Sequence, residues 1–359
     1  MLTVIVSILV FGFLIFIHEF GHYITARIFK VTIEEFSIGM GPRIVTWVSK
    51  KTNIRYSISL LPIGGFVSMP GENGEYNGDA SSEEEDKYKD DPNTFGKKPA
   101  WQRFIITAAG ATVNIVAGFL AMILLTAFIN IGDTRVAKFY TDEELGMSVT
   151  SNESGLELGD VILKVNGKKV KILDELSYEI MRSGNEPVDL VVMRDGKEET
   201  LYDVVFPKEV SQDQEFGVMD FKVKRVDKTF GSVMRYSFRK SALIVRMCWE
   251  SIYDLITGRY TIAAVSGPVG ISTAIGSAAE QGFMSLLYIT VLISINLGVM
   301  NLLPIPALDG GRLLTVIIEM ITGKKLPAKI EGIINTVGLM LLLGLSVLIM
   351  IKDVIQLIF

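Results

Sequence analysis

Two histidines and a glutamate share one short stretch, FIHEFGHY, residues 16–23, and the chain holds no other histidine. His18 and His22 are four residues apart. On a helix, residues i and i+4 lie on one face, so both imidazoles can reach one metal ion. Glu19 sits beside them and can accept a proton from a water at that ion. This is the H-E-x-x-H arrangement, whose usual metal is zinc. A catalytic zinc takes three protein ligands and leaves one position for water. With no third histidine, the third ligand must be a carboxylate or the single cysteine, Cys248.

The elements that carry these residues are apolar. Of 359 residues, 49% are hydrophobic, and the mean hydropathy is positive, which is too apolar for an ordinary soluble chain. Uncharged runs cover 1–17, 104–132, 281–308 and 332–351. A spanning helix needs ~20 mostly apolar residues. The last three runs qualify, and the first qualifies if its helix continues through His18–Ala26. The expected fold is therefore a multi-pass α-helical membrane protein with transmembrane helices at 1–29, 104–132, 281–308 and 331–358. Ionisable groups at membrane depth are expensive, and by default they are functional. A secretory leader needs a positive start and a small-residue cleavage site, yet no Lys or Arg precedes Arg27. The net charge of −5 and the lack of a basic tract argue against a nucleic-acid partner.

Positive charge is uneven around the runs. Arg27, Lys30, Arg43, Lys97, Lys98 and Arg103 flank the segment after the first, and Arg312, Lys324, Lys325 and Lys329 fill the loop after the third. The positive-inside rule then places 30–103 and 309–330 in the cytoplasm, with both termini and 133–280 outside. Within 30–103, residues 54–68 alternate through Ile54, Tyr56, Ile58 and Leu60 before Pro62 and Gly64-Gly65. That pattern predicts a membrane-associated β-hairpin. Residues 72–94, with SSEEED, read as an acidic flexible loop.

The outer segment predicts a compact α+β domain at 133–228 with a core at 146–206. Residues 146–170 alternate between Gly-Asp and Asn-Gly turns. LDELSYEIMRS, 173–183, has helical periodicity, with Leu173, Leu176, Ile180 and Met181 on one side. Two strands follow around Asp195-Gly196. Across 229–280, Arg235, Arg239, Lys240 and Arg246 interleave with Phe238, Leu243, Ile244, Met247 and Trp249. This reads as an amphipathic helix on the outer membrane surface, or as one packed on the outer domain.

The site's remaining ligand must reach the depth of His18, near the cytoplasmic face. Asp309 does so, in NLGVMNLLPIPALDGGR, residues 296–312. Pro304 and Pro306 stop the helix, and Gly310-Gly311 allow a tight turn that presents Asp309. Glu319 and Glu331 lack that setting. The chemistry expected is peptide hydrolysis within the membrane, with Glu19 as general base. A helical substrate must unwind to be cut, and extended backbone in lipid needs new partners. The 54–68 hairpin can offer a strand edge, with Ile58, Gly64 and Gly65 as substrate-binding residues. Asn296 and Asn301, polar groups inside an apolar span, can bond an extended backbone. A zinc transporter would spread polar residues through several spans, and a membrane scaffold has no use for Glu19.

HEFGH in the first run, GGFV, KKPAWQR before the second, then GLELGDVILKVNG, SGPVGI and NLLPIPALDGG occur in that order. Together they resemble the bacterial site-2 protease family, the M50 intramembrane zinc metalloproteases, in its RseP/RasP-like branch. The resemblance implies Zn2+ held by His18, His22 and Asp309, with Glu19 as catalytic base. It implies a PDZ domain over 146–206 and a substrate cleft shaped by Asn296, Asn301, Pro304 and Pro306. It also implies single-span membrane substrates: anti-sigma factors already trimmed by a first protease, and signal-peptide remnants, cut in the bacterial cytoplasmic membrane. Three features depart from the family. Gly110-Ala111 stands where Gly-Pro is frequent, so the second span should kink less, although Asn114 matches. NESGL is shorter than the usual Ser-Pro-Ala stretch, with no clear carboxylate-binding loop. The length allows one PDZ domain where many relatives have two.

Overall fold

The computed structural model describes residues 2–72, 88, 90–184, 186–211, 214–259 and 265–358. Most of the acidic loop expected at 72–94 lies outside the described residues. In chain order the helices are α1 (Leu2–Ile28), α2 (Ala100–Phe128), α3 (Asp142–Leu145), α4 (Leu173–Ser183), α5 (Phe230–Ile256), α6 (Pro268–Gln281), α7 (Phe283–Leu302), α8 (Asp309–Thr322) and α9 (Ala328–Ile358). The strands are β1 (Glu35–Val48), β2 (Arg55–Ser68), β3 (Gly132–Phe139), β4 (Val161–Val165), β5 (Lys168–Lys169), β6 (Val188–Arg194), β7 (Lys197–Val204), β8 (Lys208–Ser211), β9 (Gln214–Gly217) and β10 (Phe221–Arg225). The chain divides into two compact units, Met1–Ala121 with Cys248–Phe359, and Met122–Met247.

In the first unit, α1, α2, α7 and most of α9 are long and apolar enough to cross a membrane. Glycine lets three of them approach closely. A Cβ on Gly21 of α1 would lie 2.6 Å from the Ala109 carbonyl oxygen of α2. One on Gly298 of α7 would lie 2.7 Å from the Ala111 carbonyl oxygen. Small residues at helix crossings are the membrane solution to packing without a hydrophobic drive. Several boundaries differ from the sequence expectation: the second span is Ala100–Phe128 rather than 104–132. The third span ends at Leu302 rather than 308, because Leu303 is extended, as a residue before proline must be. The stretch 309–330, expected as a loop, is largely α8.

The 54–68 segment is not a closed hairpin. Residues 35–38 lie between 55–58, which run parallel to them, and 65–68, which run antiparallel. Residues 43–48 turn back to pair antiparallel with 55–59. Both long strands therefore bend and contribute twice. β1 bends at Gly39 and Gly41, both at positive φ. The sequence reading saw the alternation of β2 but not β1, whose glycines break the period-2 pattern.

The 229–280 segment also differs. It is two helices. On α5, Arg239 pairs with Glu175 of α4 at 2.8 Å, Lys240 with Asp174 at 2.8 Å and Arg246 with Glu179 at 2.6 Å. Three of the four cationic residues are thus held by carboxylates of α4, while Arg235, Phe238, Trp249 and Tyr253 are exposed. α6 packs in the first unit, where its buried Ile275 meets Val10 and Leu14 of α1. Asp353 of α9 accepts the Gly267 and Gly270 N–H groups, both at 2.9 Å, and so closes the N-terminus of α6.

The second unit is built on a sheet of order β10-β3-β4-β6-β7, with β5 against β4. Asn166-Gly167 and Asp195-Gly196 form the expected turns, all four residues at positive φ. Leu176 and Ile180 of α4 are fully buried with Ile162, Leu190 and Val192, but Met181 is exposed. β3 and β10 lie outside the expected 146–206 core, yet Val136 and Phe221 are fully part of it.

Candidate metal centre

α1 continues unbroken through FIHEFGHY, so His18 and His22 project from one face. Their Nε2 atoms are 3.3 Å apart. Asp309 Oδ2 lies 3.1 Å from His18 Nε2 and 3.2 Å from His22 Nε2. Among the described residues this is the group of side chains able to hold a metal. The triangle has a metal's dimensions: ligand atoms ~2.0–2.1 Å from a tetrahedral zinc lie ~3.3 Å from one another. Asp309 Oδ2 is buried and, despite its two close neighbours, has no hydrogen bond of acceptable geometry. An unpaired buried carboxylate oxygen is costly and calls for a partner.

The break at 303–308 places Asp309 at the first turn of α8. Gly310 and Gly311 serve close approach of backbone rather than a left-handed turn. A Cβ on Gly310 would lie 1.8 Å from the Leu303 carbonyl oxygen, and one on Gly311 2.5 Å from that of Ile305. The strained position is Ala307, at φ 72°, whose N–H donates to Asn335 Oδ1 of α9 at 3.3 Å.

α2 supplies the surroundings of the histidines. His22 Nδ1 lies 2.8 Å from the Ile106 carbonyl oxygen. A carbonyl only accepts, so Nδ1 carries the proton, which in the neutral ring leaves Nε2 its lone pair for a metal. His18 Nδ1 lies 3.3 Å from the Asn114 amide. Between them, a Cβ on Gly110 would lie 2.3 Å from His22 Nε2. α2 is a continuous helix through Gly110-Ala111. Glu19 is buried, and its Cγ would lie 2.8 Å from a Cβ on Gly65.

A cavity of about 710 Å³ opens on the site, lined by His18, Glu19, His22, Asp309 and residues 65–69 at the end of β2. Of the residues expected to bind substrate, Gly65 lines it; Ile58, Gly64, Asn296, Asn301, Pro304 and Pro306 do not. Met40, Glu72, Arg312 and Asn335 line it instead. Asn335 carried a signal that went unread, an amide inside the last apolar run.

The description "Peptidase family M50" matches residues 6–345. A candidate zinc metalloprotease of Fusobacterium nucleatum is 34% identical, covering 98% of each chain. The zinc metalloprotease RasP of Geobacillus kaustophilus is 30% identical over 98% of this chain and 97% of its own. The regulator of sigma-W protease RasP of Bacillus subtilis is 28% identical over 98% of each. With a match that spans nearly its whole length, the chain belongs to peptidase family M50, among the site-2 proteases.

Proposed function

We propose that the chain is an intramembrane endopeptidase in which His18, His22 and Asp309 hold Zn2+ and Glu19 is the catalytic base. The observation that carries this reading is the triangle of 3.1, 3.2 and 3.3 Å around an unpaired buried Oδ2. Zinc bound there would polarise the scissile carbonyl and lower the pKa of a water to ~7. Glu19 takes the proton from the attacking water and passes it to the leaving amide nitrogen. The first unit keeps this chemistry beneath apolar helices, so the peptide bond must reach it unwound.

The unwound segment adds to the edge of residues 65–68. Their other edge pairs with 35–38, and residues 65–68 line the cavity beside Glu19. Strand addition gives a substrate the backbone partners that lipid cannot. Ile58 and Gly64 support that sheet. Pro304 and Pro306 shape the 303–308 break, and Asn296 and Asn301 meet substrate along α7 rather than at the ion. Substrates are single-span membrane proteins, such as trimmed anti-sigma factors or signal-peptide remnants. The second unit is a PDZ domain outside the cytoplasmic membrane, and the site lies near the cytoplasmic face.

Cleavage of a single-span substrate by purified Glu19→Gln protein tests the mechanism. The expected loss is about 10²–10⁴-fold with zinc content unchanged; undiminished proteolysis by a zinc-loaded variant overturns it. The outer unit's role as a size filter is tested by giving the wild-type protein substrates with and without a folded outer domain. Equal rates would remove the filter.

A further inference from the structure

We infer that Asn114 is a positioning residue for the metal centre: its side-chain carbonyl holds the Nδ1–H of His18 and keeps His18 Nε2 free for the ion. The inference rests on the zinc reading above. Asn114 is wholly buried in α2. Its backbone carbonyl accepts the Ser294 hydroxyl of α7 at 2.8 Å, which fixes this turn. Its amide nitrogen faces His18 Nδ1 at 3.3 Å, while its Oδ1 is buried without a partner.

That orientation contains two faults with one cure. A neutral imidazole has one donor and one acceptor. With Nε2 directed at Asp309 and the ion, Nδ1 must carry the proton, so an NH2 group opposite it is donor against donor. The two ends of an amide have the same shape and exchange on a half-turn. That half-turn brings Oδ1 to the Nδ1–H and satisfies the orphaned oxygen.

The placement is not local to Asn114. Ile106, Gly110 and Asn114 follow one another at intervals of four, on one face of α2. The bare Gly110 admits the two rings: its Cβ would sit 2.3 Å from His22 Nε2 and 2.9 Å from His18 Cε1. One turn before it, the Ile106 carbonyl accepts from His22 Nδ1. One turn after it, Asn114 faces His18 Nδ1. A backbone carbonyl serves one ring and a side-chain carbonyl the other, so the pair is held symmetrically by one stripe. Outer partners of this kind set the tautomer and ring angle of histidine ligands.

The experiment uses the full-length protein in detergent, labelled with 15N in the imidazole rings. Two histidines give four ring nitrogens, so each can be followed. The chelator-stripped protein is titrated with zinc against a chromogenic competitor. Asn114→Leu, which keeps the volume and adds no charge, is expected to weaken zinc about 10–100-fold. It should shift the His18 Nδ1–H resonance and leave that of His22 in place. Asn114→Asp, which keeps an acceptor and cannot donate when ionised, should retain affinity close to wild type. Unchanged zinc affinity and His18 resonance in the folded Asn114→Leu protein overturn the inference, whether or not Asn114→Asp folds. So does an Asn114→Asp protein that folds and binds zinc as weakly as Asn114→Leu, because Asn114 would then act as donor. A wild-type protein that takes up no zinc would instead sink the reading of the site itself.

Discussion

Two buried aspartates of the second unit and one carboxylate of the first are answered differently. In the second unit, Asp220 is fully buried and accepts from the Thr150 N–H at 2.9 Å, the Ser151 N–H at 2.9 Å and the Ser151 hydroxyl at 2.6 Å. Asp160 takes two bonds from Arg194, at 2.8 and 2.7 Å, and one from the Glu157 N–H at 2.9 Å. In the first unit, Asp309 Oδ2 lies 3.1 and 3.2 Å from two imidazole nitrogens and accepts no hydrogen bond. A fully answered buried charge organises a fold; one held open by a rigid frame is the mark of a site.

The sharpest way to break that contrast is to delete both carboxylates in turn. Asp309→Ala should weaken zinc by more than about 100-fold, beyond the effect of an outer-shell change. It should change the melting temperature of the zinc-free protein little, because its Oδ2 has no hydrogen bond to lose. Asp220→Ala should do the opposite. It strands three donors and should cost about 3 kcal/mol of stability, with zinc affinity unchanged. Zinc titration and melts of the stripped proteins read both. A stripped Asp309→Ala protein that melts as early as Asp220→Ala would erase the distinction.

Glycines divide along the same line. Gly110 is needed for space, since its Cβ would meet His22 Nε2 at 2.3 Å. Gly196, at φ 83°, has nothing near its Cβ position and is needed for backbone angle. Gly110→Ala should weaken zinc about 10–100-fold by moving His22 off its carbonyl, with the second unit intact. Gly196→Ala should cost about 1–2 kcal/mol through the left-handed turn alone and leave zinc binding unchanged.

The parts legible in the sequence were those governed by local rules. HEFGH declares itself by helical spacing, and the Asn-Gly and Asp-Gly turns by their demand for positive φ. Asp309 followed from counting ligands. What stayed hidden was set by tertiary contact. β1 was missed because Gly39 and Gly41 interrupt its alternation where the strand bends. Gly310 and Gly311 were read as turn residues, yet their cause is a carbonyl that no neighbouring residue predicts. The cationic stripe of α5 fitted a lipid-facing helix and one packed on the neighbouring domain equally well, and what decides is a set of carboxylates on α4, some sixty residues earlier in the chain. Asn114 matched a pattern without revealing that its amide faces His18.

The smallest expected effect asks whether the contrast belongs to the units or to the pairing itself. Glu35 lies in the first unit, is buried, and is fully answered. It accepts from Arg43 at 2.9 and 2.8 Å and from Ser57 at 2.5 Å, with Arg55 at 3.4 Å. Burial works to raise its carboxyl, but these partners outweigh burial and hold it below the ordinary value. A lowered folded pKa gives stability that is complete above the unfolded value of ~4.3 and is lost as pH falls through the folded one. The sheet beside the site should therefore be indifferent to pH between 7 and 5 and loosen only in stronger acid, as read by hydrogen exchange of residues 35–38. Glu35→Gln should abolish that acid dependence and cost about 1–2 kcal/mol, with zinc affinity unchanged. If zinc binding fell with it, burial in the metal-bearing unit would matter more than satisfaction, and the distinction between answered and open charge would have to be drawn by region instead.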